Sequence, residues 1–130
     1  STPLYSSAAS DVYKRQNLGF VPTMGSIHVM AVITAKPGMR DTILDAFHQN
    51  SPTVHKEQGC IEYIATVDAS NAGALQTKFG DDTFVVVEKW KNLEALKDHA
   101  ASPHMAEYGK KTTDLIESRI IHVLSPIASP

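Results

Sequence analysis

The segment Phe84–Met105 (FVVVEKWKNLEALKDHAASPHM) carries the strongest structural signals in this chain. Its first residues, Phe84–Val87, are apolar and mostly β-branched, which predicts a strand that is buried on both faces. Asn92 predicts the start of a helix, because its side chain can accept hydrogen bonds from the free amides of the first turn. Ser102 and Pro103 predict a second helix start, with Ser102 as the cap and Pro103 at the first helical position. Proline is tolerated there because the amide that it lacks would have no partner in the helix. The segment therefore predicts a strand followed by two short helices.

Apolar residues and histidines are interleaved in the predicted helices. Leu93, Leu96 and Ala100 fall at helical spacing, so we expect them to face the core. His99 precedes the joint between the two helices, and His104 follows it. Two imidazoles near the tryptophan at the strand end predict a site at this corner of the fold.

The remaining elements are predicted from hydrophobic periodicity and from glycine and proline positions. A helix is expected from Arg40 to about Lys56, with Ile43, Leu44, Phe47 and His48 at helical spacing and a bend at Ser51–Pro52. Residues 68–82 are expected to form a loop or a ragged hairpin. The predicted strands are Ile27–Ala35, Cys60–Val67, Thr83–Trp90 and Arg119–Leu124.

This order predicts an α+β fold with the split βαβ arrangement of ferredoxin-like proteins, in which helices cover one face of an antiparallel sheet. Strands such as Ile27–Ala35 are apolar on both faces. The face away from the helices is therefore expected to be buried against a second copy of the chain, in a homodimer.

Length and composition exclude several classes of protein. The chain has 130 residues, which corresponds to one domain, and its formal charge of −2 comes without a basic stripe, so neither nucleic acid nor a membrane surface is an expected partner. No apolar run approaches the roughly 20 residues that span a bilayer. The single cysteine, Cys60, cannot form an internal disulfide, which fits a reducing cytoplasm.

The first 26 residues differ from the rest in having no sustained hydrophobic period. Asp11–Gln16 (DVYKRQ) looks like the in-frame translation of the transposon-end sequencing adaptor GATGTGTATAAGAGACAG. We therefore expect residues 1–16 to be an artefact of sequence assembly, with an ordinary disordered tail as the alternative. The expected domain is 27–127.

The familiar cofactor motifs are absent from the sequence. It contains neither G-x-G-x-x-G nor G-x-x-x-x-G-K-[ST], the glycine-rich signatures of nucleotide and flavin sites. It also lacks H-E-x-x-H and paired C-x-x-C motifs, so no standard zinc or redox centre is predicted and no metal ligand is assigned.

Taken together, these motifs resemble the antibiotic biosynthesis monooxygenase family, and within it the bacterial quinol monooxygenases. The family pattern is E-G-C-x-x-Y, a strand ending in E-x-W, and H-x-x-x-P-H-M followed by an aromatic residue. The matching residues, within a resemblance that spans Ile27–Ile127, are Gln58-Gly59-Cys60, Tyr63, Glu88-Lys89-Trp90, His99, Pro103-His104-Met105 and Tyr108.

The resemblance implies a dimeric α+β barrel with a cavity in each protomer between sheet and helices. It also implies oxidation of a quinol or polyphenolic aromatic by dioxygen to a quinone, without a bound cofactor. In such chemistry the protein must supply an apolar pocket, a base and hydrogen bonds to the developing oxyanion.

Three residues are the candidates for catalysis. His99 is the expected base or substrate-orienting donor, because imidazole titrates nearest to neutral pH; the alternative is a packed helix histidine. Trp90 offers a flat wall and an indole donor, or is simply part of the core. Tyr63 can donate a phenolic hydrogen bond, or pack with its hydroxyl at the surface.

Other residues are candidates for contacts with the substrate. His104 lies at the positive end of a helix, which disfavours the imidazolium, and is otherwise a solvent-facing residue. Glu88 lies on the same strand face as Trp90, where it can orient a histidine or form a structural ion pair. The remaining substrate-binding candidates are Tyr108, Phe47, His48 and Met105.

Three further functions stay open on the same fold. An isomerase or degrading enzyme for a small carbonyl or phosphorylated signalling molecule would need basic residues in the pocket, where the sequence offers little beyond Lys89. Haem degradation, judged by resemblance, would place Gly109 at the ligand position and Ala31 at that of a strand asparagine, which argues against it. The third is a ligand-binding stress-response barrel without turnover.

Overall fold

The computed structural model describes residues 25–127, so the predicted N-terminal extension lies outside the described residues except at its last two positions. The sheet has four antiparallel strands in the order β2-β3-β1-β4, which confirms the predicted ferredoxin-like α+β topology. The elements are β1 (Ile27–Ala35), α1 (Arg40–His55), β2 (Cys60–Thr66), β3 (Thr83–Trp90), α2 (Leu93–Ala100), α3 (Pro103–Thr112) and β4 (Ile116–Leu124). Two short 3₁₀ turns, Gly73–Leu75 and Thr113–Leu115, complete the described chain.

Both predicted helix caps are present beside the site. The Asn92 side chain accepts a hydrogen bond from the Ala95 amide, and the Ser102 hydroxyl accepts one from the Met105 amide. Each cap satisfies an amide that the first helical turn leaves without a partner. The short joint between α2 and α3 is therefore fixed by residues that the sequence already identified.

Helix α1 runs through Pro52 to His55, which agrees with its predicted end at about Lys56. A proline has no amide to donate to the carbonyl four residues earlier, which here belongs to His48. The Ser51 hydroxyl donates to that carbonyl at 3.4 Å and replaces the missing bond. Two strand boundaries also differ from the prediction: β2 ends one residue earlier, and β4 begins at Ile116 rather than Arg119.

The core lies between the sheet and the helices. Alternate residues of β1, including Val29, Ala31 and Ile33, point toward the helical layer and are buried. Helix α1 covers them with Ile43 and Phe47, which are almost fully removed from solvent. Burial of this apolar stripe is the main source of stability for the arrangement.

The predicted apolar face of α2 was right only at Leu96, which is partly buried against the core. The buried residues of the helix are Ala95 and His99, whereas Leu93 and Ala100 are exposed. The reason is the close approach of Gly59, where a Cβ atom would lie only 2.6 Å from the Ala95 Cβ. This contact sets the rotation of α2 and turns the side chain four residues after Ala95 toward the core.

The opposite face of the sheet is apolar and uncovered in the single chain. Its exposed side chains include Met30, Ile64, Ile120 and Leu124, whose exposed fractions run from 38 to 52 %. Strand β4 lies at the sheet edge and is exposed along most of its length. Within residues 25–127, no helix is both long and apolar enough to cross a membrane.

Candidate active site

A cavity of about 410 Å³ lies between the helical layer and the sheet. Its lining is mainly apolar, and exposed residues of β4 lie along its rim. The side chains that line it come from all four strands and all three helices: Val29, Ala31, Ile33, Phe47, Tyr63, Val86, Glu88, Leu96, His99, Ala100, Met105, Ala106, Tyr108, Arg119, Ile121 and Val123.

His99 is the buried imidazole in this lining, with only 4 % of its surface exposed. Its ring lies against Trp90 at a centroid distance of 4.6 Å and against Tyr63 at 5.3 Å. The Nδ1 atom lies 2.9 Å from Oε2 of Glu57, whereas Nε2 has no hydrogen-bond partner among residues 25–127. The ring is therefore held on one side and left available on the other.

The Glu57 carboxylate connects His99 to a second histidine. The same Oε2 atom lies 2.6 Å from Nε2 of His104, which is also 3.2 Å from the Ser102 hydroxyl. That hydroxyl donates to the His99 carbonyl at 2.7 Å, so it can accept from His104. The side chain of His104 is 25 % exposed and that of His99 is 6 % exposed, so the cluster leads from the cavity wall toward solvent.

The carboxylate determines which nitrogen of His99 carries the proton. An ionised carboxylate can only accept hydrogen bonds, so Nδ1 of a neutral His99 must be the N–H that donates to Glu57. The other nitrogen, Nε2, is then left with a free lone pair. This tautomer is the one that a general base on the cavity side requires.

Trp90 lies beneath the site and is not part of the cavity lining. It is fully buried, and its indole N–H donates to Glu88 at 2.9 Å. The Glu88 carboxyl does line the cavity, where burial raises its pKa although the Trp90 bond and the nearby His99 act in the opposite direction. Glu88 therefore keeps its proton to a higher pH than an exposed glutamate.

Two tyrosines contribute phenol groups to the lining. Burial, followed by the negative charge of Glu88, raises the pKa of Tyr63 far above its ordinary value. Burial raises the pKa of Tyr108 to about 12, with Arg119 acting in the opposite direction. Both phenols are consequently protonated near neutral pH and can donate hydrogen bonds. Phe47 stacks on Tyr63 at 5.0 Å and fixes its ring.

The structure separates the predicted site residues into two groups. His99, Tyr63, Glu88, Tyr108, Phe47 and Met105 all line the cavity. Three others do not: Trp90 lies in the core, His104 lies behind His99 on the Glu57 carboxylate, and His48 is exposed with its ring against the edge of Phe47.

Sequence analysis missed two residues of the site. Glu57 lies between α1 and β2, next to the Gln58 that was matched to the family pattern, and meets His99 42 positions later. Arg119 lies on β4 and was the first residue of the predicted fourth strand. No residue near it in the sequence indicated that its side chain lines the cavity. Lys89 is the cation that was considered for a phosphorylated substrate. It lies opposite His28 in the register of β1 and β3, on the far face of the sheet, and does not line the cavity.

The lone cysteine is not a candidate nucleophile. Burial, and then the negative charges of Glu57 and Glu88, raise the pKa of the Cys60 thiol. A thiol that stays protonated is a poor nucleophile. Cys60 is therefore best described as a partly buried residue at the start of β2.

Solved structures share this architecture. The crystal structure of PA3566 from Pseudomonas aeruginosa superposes with a TM-score of 0.67 at 21 % identity, covering 82 % of this chain and 98 % of that one. A conserved protein from Methanosarcina mazei Go1 gives a TM-score of 0.67 at 21 % identity, with coverages of 80 % and 95 %. These likenesses define the class by fold: a ferredoxin-like α+β domain with a cavity under its helices.

Sequence comparison identifies the family. The family model "Antibiotic biosynthesis monooxygenase" matches residues 26–111. The Escherichia coli K12 protein named "Probable quinol monooxygenase YgiN" is 34 % identical over 100 residues, which is 75 % of this chain and 95 % of that protein. The chain belongs to the antibiotic biosynthesis monooxygenase family and is a monooxygenase, as its motifs predicted.

Proposed function

We propose that this monooxygenase oxidises a quinol or polyphenolic aromatic compound with dioxygen to a quinone, without a bound cofactor. The observation that supports this best is the environment of His99. Its ring lines the cavity while Glu57 holds Nδ1, so Nε2 is the free acceptor. A base in this state can remove a phenolic proton from a bound ring.

The size and chemistry of the cavity suit an aromatic substrate. A volume of about 410 Å³ falls within the range of roughly 300–1,000 Å³ that is usual for small-molecule sites. The apolar lining would bury the faces of the ring, and Phe47 and Met105 supply polarisable contacts. The name of the Escherichia coli relative, which specifies a quinol, supports the same class of substrate.

In the proposed reaction the substrate supplies the electrons. His99 takes the phenolic proton, and the anion passes one electron to dioxygen, giving a substrate radical and superoxide. These combine into a peroxide at a ring carbon that carries hydrogen, ortho or para to the phenolic oxygen, and the imidazolium returns its proton to the peroxide. When the oxygen–oxygen bond breaks, the ring carbon loses its hydrogen and becomes a carbonyl. The lost proton leaves with hydroxide as water, so one oxygen atom stays in the quinone.

Other cavity residues would stabilise the anion formed in the first step. Tyr63 and Tyr108 are hydrogen-bond donors, and Arg119 brings a positive charge to the lining. Glu88, whose pKa is raised by burial, lies in the same lining. Donors that are already oriented toward a developing oxyanion commonly make the largest contribution to such catalysis.

Glu57 would stabilise the imidazolium, because its carboxylate accepts the Nδ1–H that remains on His99 after proton transfer. His104 also contacts this carboxylate, and the side chain of His104 is partly exposed to solvent. Protons could therefore exchange with bulk water on the far side of His99.

We further propose that the protein acts as a homodimer in the cytoplasm. The uncovered apolar sheet face, with Met30, Ile64, Ile120 and Leu124, is the kind of surface that a second copy would bury. The free Cys60 fits a reducing compartment. Closing two sheets against each other would complete the dimeric α+β barrel that the sequence resemblance implies.

Arg119 supports a second candidate function. A guanidinium at the cavity could hold a phosphate, as an isomerase of a small phosphorylated molecule would require. In that reaction His99 would move a proton without consuming oxygen. Oxygen consumption therefore separates this function from the first one.

The deciding experiment is oxygen uptake by purified, metal-free protein with a reduced quinol such as menadiol, corrected for autoxidation, with quinone formation followed optically. Uptake that saturates with substrate is the expected result. No uptake across a panel of quinols and polyphenols would overturn the proposal and favour the isomerase or a binding barrel without turnover.

Two variants test the role of His99 in the same assay. His99→Asn keeps an N–H near the position of Nδ1 but removes the base, so we expect kcat to fall by about 10²- to 10⁴-fold with the fold intact. Asp98→Asn, an exposed neighbour on α2, is the matched control and should keep the full rate. Equal activity of both variants would remove His99 from the mechanism.

A further inference from the structure

Three side chains with metal-binding atoms meet behind the cavity wall. The ligand atoms of Glu57, His99 and His104 all lie within 4.8 Å of one another. They come from the α1–β2 connection, from α2 and from the start of α3, and the two short helices are held in place by their caps. The fold therefore brings together a carboxylate and two imidazoles that are widely separated in sequence.

We propose that Glu57, His99 and His104 form a binding site for Zn²⁺ or a closely related divalent cation. Two imidazole nitrogens and one carboxylate oxygen form a set of ligands that zinc commonly takes in proteins, with a fourth position left for water. The site shares His99 with the substrate cavity and lies behind its wall, because neither Glu57 nor His104 lines the cavity.

Small side-chain movements would give the required geometry. Zinc bonds of roughly 2.0–2.1 Å in a tetrahedral site place neighbouring ligand atoms about 3.3 Å apart. The observed separations from Oε2 of Glu57 are 2.9 Å to His99 and 2.6 Å to His104. The two oxygen–nitrogen distances would each grow by less than about 1 Å as the ion replaces the shared protons. The two imidazole nitrogens lie within 4.8 Å of each other and would adjust to the same spacing of about 3.3 Å by side-chain rotation.

The position of the site indicates an inhibitory ion rather than an oxygen-activating one. A metal that activates dioxygen for the substrate needs an open position facing that substrate. Here His99 contributes the nitrogen that faces Glu57, on the opposite side of the imidazole ring from Nε2. The ion would therefore lie behind His99 and outside the cavity lining.

Metal binding would change the tautomer of His99. A neutral imidazole that binds a metal through Nδ1 carries its proton on Nε2. The cavity side of the ring would then present a donor in place of the lone pair that the base requires. Zinc would thus inhibit proton abstraction, a consequence that rests on the proposed oxygenase function, whereas the binding itself does not.

The test begins with direct binding to tag-free, metal-depleted protein. Equilibrium dialysis with Zn²⁺ should give one ion per chain, and Co²⁺ should give the visible absorption of a tetrahedral site. Glu57→Gln and His104→Gln should each weaken binding by about tenfold or more. His122→Gln, which removes a histidine on the far face of the sheet and away from the cluster, is the matched control and should bind normally.

Thermal unfolding checks that the variants remain folded. Zn²⁺ should raise the Tm of the wild type and of His122→Gln, because an ion that binds the native state stabilises it, and should raise the Tm of Glu57→Gln and His104→Gln less at the same concentration. Binding that survives both cluster substitutions, or that His122→Gln abolishes, would overturn the site.

Measurements of activity test the inhibitory effect of Zn²⁺ separately from its binding. With menadiol as substrate, Zn²⁺ should inhibit the wild type and inhibit His104→Gln at least about tenfold less, each compared with its own metal-free rate. Binding without inhibition would overturn the inhibitory role while keeping the site. If the protein shows no turnover at all, dialysis and Co²⁺ absorption still decide whether the metal binds.

Discussion

The Nδ1 atom of His99 lies 2.9 Å from Oε2 of Glu57, although the two residues are 42 positions apart in the chain. This contact fixes the orientation and the tautomer of the one buried imidazole in the cavity lining. Histidine bases in other enzymes are oriented in the same way by a buried carboxylate.

Replacing Glu57 with Gln should lower kcat/KM by about 10- to 100-fold, because an amide neither fixes the tautomer nor stabilises the imidazolium. Oxygen uptake with menadiol measures the effect. If the two residues act as one unit, the double variant Glu57→Gln with His99→Asn should be no slower than His99→Asn alone. Additive losses would show that Glu57 acts independently of His99.

Glu88→Gln should change how stability depends on pH. Burial raises the pKa of Glu88 above its ordinary value of 4.5, so its protonated form favours the folded state. Its contribution is complete below the unfolded pKa and is lost as pH rises through the folded pKa. An amide does not ionise, so its contribution to stability does not change with pH. The free energy of unfolding of Glu88→Gln, relative to wild type, should therefore increase as pH rises from the unfolded to the folded pKa of Glu88 and stay constant above it.

Urea denaturation between pH 4 and pH 8 measures that difference in the free energy of unfolding. Glu117→Gln, which changes an exposed carboxyl on β4, is the matched control and should show no comparable trend. A constant difference between Glu88→Gln and wild type across the range would mean that Glu88 does not titrate in this window.

Gly59→Ala should be strongly destabilising for two separable reasons. Gly59 has φ of +88°, a conformation that costs other residues roughly 1–2 kcal/mol, and its added Cβ would lie 2.6 Å from the Ala95 Cβ. Gly38→Ala is the matched control, since Gly38 has φ of +78° but nothing within 4 Å. Thermal unfolding should show a larger loss at position 59, by about 1–3 kcal/mol. Equal losses would contradict the proposed contact with α2.

If the far face of the sheet forms the dimer interface, a charged residue placed on that face should weaken the dimer. Ile120→Lys should shift the protein from dimer to monomer, because its side chain is 52 % exposed in the single chain and a buried lysine would lack a partner. Analytical ultracentrifugation measures the change. Leu75→Lys, at a residue 98 % exposed, is the control and should remain dimeric. A wild-type monomer, or a dimer unaffected by Ile120→Lys, would place the interface elsewhere or remove it.

Local signals predicted the elements that surround the site. The caps at Asn92 and Ser102 and the boundaries of β1 and β3 depend on neighbouring residues, and all agree with the structure. The extent of α1 through Pro52 also agrees with the prediction, whereas β2 ends one residue early and β4 begins at Ile116 instead of Arg119. Local chemistry thus defined most elements but not every boundary.

The roles of individual side chains were harder to predict than the elements. Trp90 was a catalytic candidate, yet it is fully buried and bonded to Glu88, outside the cavity lining. Whether an aromatic at a strand end reaches a cavity depends on the helix packed above it, and here His99 of α2 lies over the indole. Sequence periodicity gives the face of a strand but not what covers it.

The sequence by itself determined the α+β order of elements, the helix joint near Ser102 and the family, because each depends on residues close together or on a shared pattern of motifs. Only the tertiary structure decided that Glu57 meets His99 and His104, and that Arg119 lines the cavity. These contacts join residues from separate elements, so they exist only after strand register and helix rotation are fixed.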